Sequence, residues 1–204
     1  MAENRARSGY KDYTHAVIAK FASDPSLNGK SIPEAARMVR GNDSVEDQVE
    51  LILDIETRSG ASAIYHGMNE EDLVRFMKHP QTMVASDGNP RNLGEDMPHP
   101  RSYGNNARVL ARYVREQKIL TLEEAVRKMT SLPAETFRLK DRGVIRTGAF
   151  ADLVIFDPET VNDSSDFPDP HHYAEGFSHV IVNGGVVIRD GKLTGVRSGG
   201  PLRR

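Results

Sequence analysis

The chain contains no cysteine. Disulfide scaffolds and thiolate metal sites are therefore excluded. Positive charge is not in surplus: 27 Lys plus Arg stand against 29 Asp plus Glu, a formal net charge of -2. A nucleic-acid binder usually shows a basic surplus, so that class of partner is not expected. No apolar run approaches the roughly 20 residues of a membrane helix, so no membrane span is expected. The first residues, Met1-Ala2-Glu3-Asn4-Arg5-Ala6-Arg7, are polar and lack the apolar stretch of a signal peptide. The strings His-x-His and His-Glu-x-x-His are missing, and nothing amounts to a full set of transition-metal ligands. What remains is a chain of 204 residues, 38% hydrophobic and 27% charged, enough for a packed core. The expectation is a cytoplasmic globular protein.

What is there falls into two parts. Up to about residue 140, short apolar segments alternate with amphipathic ones. His15 to Phe21 reads as a buried strand or a short helix. Ser31-Ile32-Pro33-Glu34 has the spacing of a capping box and opens a helix with Ala35, Ala36, Met38 and Val39 as its apolar face. A second helix runs from about Ser44 to Thr57, with Val45, Val49, Ile52 and Leu53 at helical spacing. Ser62 to His66 and Thr82 to Ser86 read as short strands. Between them Asn69 caps a helix with Leu73, Phe76 and Met77 facing inward. An irregular loop is expected from about Asn89 to Gly104, with Pro90, Pro98 and Pro100 in it. Two further helices follow, one carrying Val109, Leu110, Tyr113 and Val114, the other opening at Thr121 and burying Val126 and Met129.

From about residue 141 the pattern turns all-β. Val144-Ile145 and Ala151 to Phe156 read as strands, and residues 157–178 as a surface loop. Val180 to Val182 and Val186 to Ile188 flank Asn183-Gly184-Gly185, a hairpin signal. The alternation in the first part implies parallel β/α units. Only two or three such units fit, whereas a closed eight-unit barrel takes about 250 residues. A partial sheet of this kind leaves edges and apolar faces exposed, so self-association or a partner chain is expected.

Four places carry candidate chemistry. Asp87, in Ala85-Ser86-Asp87-Gly88, stands where a strand is expected to end, and catalytic groups of β/α folds sit at such ends. A carboxylate there serves as a general base or a metal ligand; the same string also reads as an ordinary Asp-Gly turn. His66 ends the preceding strand and reads either as a ligand or proton carrier or as a structural histidine. Arg101, in His99-Pro100-Arg101, can fork onto a substrate carboxylate, or serve as a surface or ion-paired arginine. His171-His172 diverge as sequence neighbours and make a poor metal site alone.

Longer strings then narrow the reading. Ala85-Ser86-Asp87-Gly88, His99-Pro100-Arg101-Ser102-Tyr103-Gly104 and Arg127-Lys128-Met129-Thr130-Ser131-Leu132-Pro133-Ala134 occur in order. Asp141-Arg142-Gly143, Gly148-Ala149-Phe150-Ala151-Asp152-Leu153-Val154 and Val182-Asn183-Gly184 follow. From about Tyr13 to Arg204 the chain resembles the C-terminal part of the N-acyl-D-amino-acid deacylases (D-aminoacylases) of the amidohydrolase superfamily. The resemblance implies an α/β fold: a partial (β/α) barrel over residues 1–140, then the small all-β region of the amidohydrolase composite domain over residues 141–204. It implies a hydrolase that removes the acyl group from N-acyl-D-amino acids and uses zinc. Asp87 would be the catalytic proton carrier and Arg101 the grip on the substrate α-carboxylate.

The departures are as specific as the matches. The family's zinc ligands have no counterpart here, so no metal residue is assigned and tight zinc binding by this chain alone is not expected. The substrate-gripping tyrosine and serine of the family have no counterpart either. Asn105-Asn106 stand where the family usually has Thr-Phe. The chain alone is therefore expected to be inactive. It reads as a portion or subunit of a split deacylase working beside a metal-bearing polypeptide. The alternatives are an inactive fragment acting as a structural or binding module, and a cyclic-amide hydrolase of the same superfamily.

Overall fold

The structure is a computed structural model and describes residues 9–202; the polar segment Met1–Arg7 lies outside the described residues. The chain divides into two compact units. One comprises residues up to Met68 together with Arg91–His99, the other Asn69–Pro90 together with residues from Pro100 onward.

In the first unit, β1 (Ala16–Lys20) and β2 (Ser62–Tyr65) form a two-stranded sheet. Between them lie α1 (Ile32–Arg40) and α2 (Val45–Arg58). The strands pair antiparallel, Ala16 opposite Tyr65 and Ile18 opposite Ala63, which corrects the expected parallel unit. Two helices rather than one connect them, so the connection is not a single β/α crossover. The capping box forms as expected: Glu34 N–H donates to Ser31 Oγ at 3.4 Å, and Ser31 N–H to Glu34 Oε2 at 2.8 Å. The helix faces differ from those expected. α1 buries Ile32, Ala35 and Ala36, while Met38 and Val39 are half exposed. α2 buries Gln48, Leu51 and Ile55, and Leu53 points to solvent. Gln48 is tolerated because both ends of its amide are satisfied, by the Asp43 carbonyl and the Tyr13 N–H. The core is Ile18, Phe21, Leu27 and Ile32 closed by α1 and α2.

In the second unit, α3 (Glu70–Lys78) is capped by Asn69, whose side chain accepts from Asp72 N–H at 2.8 Å. Met77 is buried, but Phe76, expected inside, is exposed. Residues 82–86 form no sheet ladder, contrary to the strand expected there. The expected loop ends early, because α4 (Arg101–Arg108) begins at the arginine itself. α4 continues into a π-helical stretch, Val109–Glu116, a rare geometry. α5 (Leu122–Met129) and α6 (Ser131–Thr136) follow. α5 buries Ala125 and Lys128, while Val126, expected in the core, is partly exposed. Val144-Ile145 is not a strand, and Ile145 is 90% exposed.

The β region is a four-stranded antiparallel meander in chain order: β3 (Leu153–Phe156), β4 (Phe177–Val182), β5 (Gly185–Arg189) and β6 (Lys192–Leu193). The expected hairpin is present. Asn183 and Gly184 take φ of 47° and 80°, the doubly positive geometry that suits right-twisted strands. Residues 157–178 are not a plain surface loop, since Val161, Ser165 and Pro170 in it are fully buried. The core of this unit joins Met77, Ala107, Leu110, Tyr113 and Ala125 to Val161, with Phe156 and Phe177 against it.

Candidate functional site

Asp87 follows residues 82–86, which form no ladder, and takes a left-handed backbone, φ 47°. Such a conformation is uncommon for a residue with a β-carbon, though Asp tolerates it better than most. The next residue explains the turn. A β-carbon on Gly88 would lie 3.0 Å from Ser102 Cα and 3.1 Å from the Arg101 carbonyl oxygen. Glycine lets the turn come this close to the first turn of α4, whose backbone would have to give by a few tenths of an ångström for any side chain. Ser86 Oγ accepts from Gly88 N–H at 3.2 Å and closes the turn.

The close approach brings two candidate residues together. Asp87 Oδ2 lies 3.0 Å from Arg101 Nη2. The Asp87 side chain is 87% exposed, that of Arg101 41%. Arg101 opens α4 directly behind Pro100, which occupies the cap position. Ser86 and Arg101 line an open cleft of about 990 Å³, together with Tyr103, Tyr173 and apolar residues of the meander such as Val154 and Leu193.

Four contacts that the sequence strings did not announce fix the 163–173 segment to α4. Arg108 Nε donates to Asp163 Oδ2 at 2.7 Å, and its Nη2 donates to the Ser165 carbonyl. Tyr103 Oη pairs with His171 Nδ1 at 3.0 Å, and Tyr173 packs edge-on against Tyr103. His171 is thus a partner of the His-Pro-Arg-Ser-Tyr-Gly string, not of His172. His172 pairs with Asp169 at 2.8 Å, and that hydrogen bond raises its pKa. His66 belongs to the first unit, where its N–H donates to the His15 carbonyl at 2.7 Å.

The later strings turn out to be architectural. Asp152 Oδ1 accepts from Asn183 N–H at 2.8 Å, and its other oxygen pairs with Arg142. Arg142 also donates to Asn183 Oδ1 at 2.7 Å and lies over the Phe150 ring at 4.1 Å. The Asn183 hydrogen bond, then Arg142, holds Asp152 below the usual carboxylate range against a desolvation that opposes it. Three strings, two of them near neighbours in sequence and the third about 30 residues on, thus meet at one clasp on the β4–β5 turn.

The described residues do not fit a zinc site. Among the described residues no group of three His, Asp or Glu side chains converges to hold a metal ion. A catalytic zinc takes about three protein ligands. The charged neighbour that the structure gives Asp87 is a guanidinium rather than a second ligand.

The profile of the amidohydrolase family matches residues 15–188, and the chain belongs to that family. Its relatives include the N-acyl-D-glutamate deacylase of Alcaligenes xylosoxydans xylosoxydans, 49% identical over 128 residues, covering 63% of this chain and 26% of that protein. The N-acyl-D-aspartate deacylase of the same organism is 42% identical over 189 residues, covering 90% and 36%. A solved D-aminoacylase with a binuclear metal centre is 38% identical and has a TM-score of 0.81, over 93% of this chain and 38% of that one. The chain thus spans between a quarter and two fifths of the length of these relatives. The α/β architecture agrees with that of the solved D-aminoacylase. Among the described residues no helix is long and apolar enough to cross a membrane.

Proposed function

We propose that this chain supplies the C-terminal part of a metal-dependent N-acyl-D-amino-acid deacylase. Residues 1–140 supply the last units of a partial barrel, and residues 141–204 its small β domain. The metal ligands of such an enzyme are supplied from outside these 204 residues, whether this sequence is a portion or a subunit of it. The metal supplies activation of water in such an enzyme.

The observation that carries the reading is the 3.0 Å separation of Asp87 and Arg101. In an N-acyl amino acid the α-carboxylate carbon and the amide nitrogen share one carbon, so they lie roughly 2.5 Å apart. A group that grips the carboxylate and a group that protonates the nitrogen must therefore be near neighbours. Arg101 carries a planar fork matched to a carboxylate. Asp87 takes a proton from the attacking water and returns one to the nitrogen as the C–N bond breaks. The products are a carboxylate and a D-amino acid.

The test is reconstitution of the chain with a metal-bearing first part of such an enzyme, assayed on N-acetyl-D-amino acids. The lone chain is expected to hold no stoichiometric zinc and to show no turnover. The reconstituted enzyme is expected to be active. Asp87→Asn should lower kcat by about 100-fold or more, the usual worth of a positioned acid–base. Arg101→Lys should chiefly raise KM. Undiminished turnover in Asp87→Asn, or a lone chain that turns over, would overturn the assignment.

A further inference from the structure

Lys128 is fully buried, which is rare for a lysine, and the proton chemistry proposed above does not use it. Its Nζ donates to two backbone carbonyls, those of His79 and Thr82, the latter at 3.1 Å. Glu124 Oε1 lies 3.5 Å away, one helical turn back. The Lys128 carbonyl in turn accepts from Val84 N–H at 3.1 Å. One residue at the end of α5 therefore satisfies three backbone groups of the segment 79–84. Residues 82–86 have strand-like composition but form no sheet ladder, so backbone groups that a neighbouring strand would pair find these partners instead. Only Ala85 and Ser86 separate Val84 from Asp87.

We infer that Lys128 is a positioning residue for Asp87: by replacing a strand neighbour for residues 79–84, it sets where the carboxylate meets Arg101. This rests on the reading of Asp87 as the proton carrier. The placement itself is testable without it. Displacement of a reacting group by about 1 Å can cost about 100-fold in rate, so a backbone tether near the carboxylate has kinetic weight.

The full chain, labelled with ¹⁵N, is compared as the unmodified protein and as Lys128→Met, Lys128→Arg and Asp87→Asn. In the unmodified protein the Val84 amide should exchange at least about tenfold more slowly than amides of the exposed residues 144–147. The Arg101 Nε–H resonance should move in Asp87→Asn. In Lys128→Met it should move to the Asp87→Asn position, with Val84 protection lost and β4–β5 amides unchanged. Lys128→Arg should fall between. A Val84 amide unprotected in the unmodified protein overturns the inference, whether or not Lys128→Met folds. So does an Arg101 signal that Lys128→Met, or Lys128→Arg if only that variant folds, leaves in place. In the reconstituted enzyme, Lys128→Met should lower kcat about tenfold or more with KM little changed. The expected resonance changes without deacylase activity in any form would reject the role of Asp87 and leave the tether standing.

Discussion

The carboxylate of Asp163 fills the space that a side chain on Gly104 would need. The glycine thus lets a 2%-exposed carboxylate reach across α4 to Arg108. Gly104→Ala should expel that carboxylate and break its pair with Arg108. The expected cost is about 2–3 kcal/mol, because a buried charge loses its partner while Arg108 keeps partial access to water. Urea unfolding of the variant checks the magnitude. Stability within a few tenths of a kcal/mol of the unmodified protein would contradict the packing described.

The clasp around Asp152 makes a second expectation. Asp152→Ala removes an acceptor from Asn183 N–H and a partner from Arg142. A loss of about 1–2 kcal/mol is expected for these charge-assisted contacts at a partly exposed site. Exchange at the Asn183 amide should accelerate more than exchange at amides of α2. Equal acceleration at both places would argue against a local clasp.

The capping box of α1 links stability to acid. The Ser31 side chain, then its N–H, holds Glu34 below its ordinary value of 4.5. A carboxyl lowered on folding contributes stability fully above 4.5 and loses it as pH falls through the lower folded value. Ser31→Ala should cost about 1 kcal/mol near neutrality. It should also flatten the decline of stability below pH 4.5. Thermal melts across that window measure both effects, and an unchanged acid slope would refute the linkage.

His172 predicts the opposite sign. Its hydrogen bond to Asp169 raises its pKa above the ordinary 6.5. That contribution is full below 6.5 and disappears as pH rises through the folded value. His172→Gln should therefore flatten the loss of stability on the alkaline side of 6.5. Thermal melts of both proteins through that range report it. Parallel curves would sink the assignment.

Helix starts marked by a side-chain cap were legible in the sequence because a cap is a local device, whereas the start of α4, which has none, was not. Ser31, Ser44, Asn69 and Thr121 each accept from the backbone N–H three residues on. The β4–β5 turn was legible for the same reason, since Asn-Gly states its own dihedrals. Helix faces were less so. Hydropathy ranks Met38 and Val39 above Ala35 and Ala36, yet close packing of α1 selects the small pair. The segment 82–86 has strand composition, but its backbone partner is a lysine side chain from α5, and periodicity cannot see such a partner. At the candidate site, Asp87 and Arg101 stood out as residue types within strings. Their contact did not, because it depends on a glycine that meets the first turn of another element.

The meander carries a consequence for how the molecule is made. Each of its strands pairs with the next in the chain, and two of its three connections are two-residue reversals. Closing so short a loop sacrifices little chain entropy. Zipping β4 to β5 and then β5 to β6 needs no distant segment, so this corner can organise early during refolding, ahead of elements whose contacts reach across the sequence.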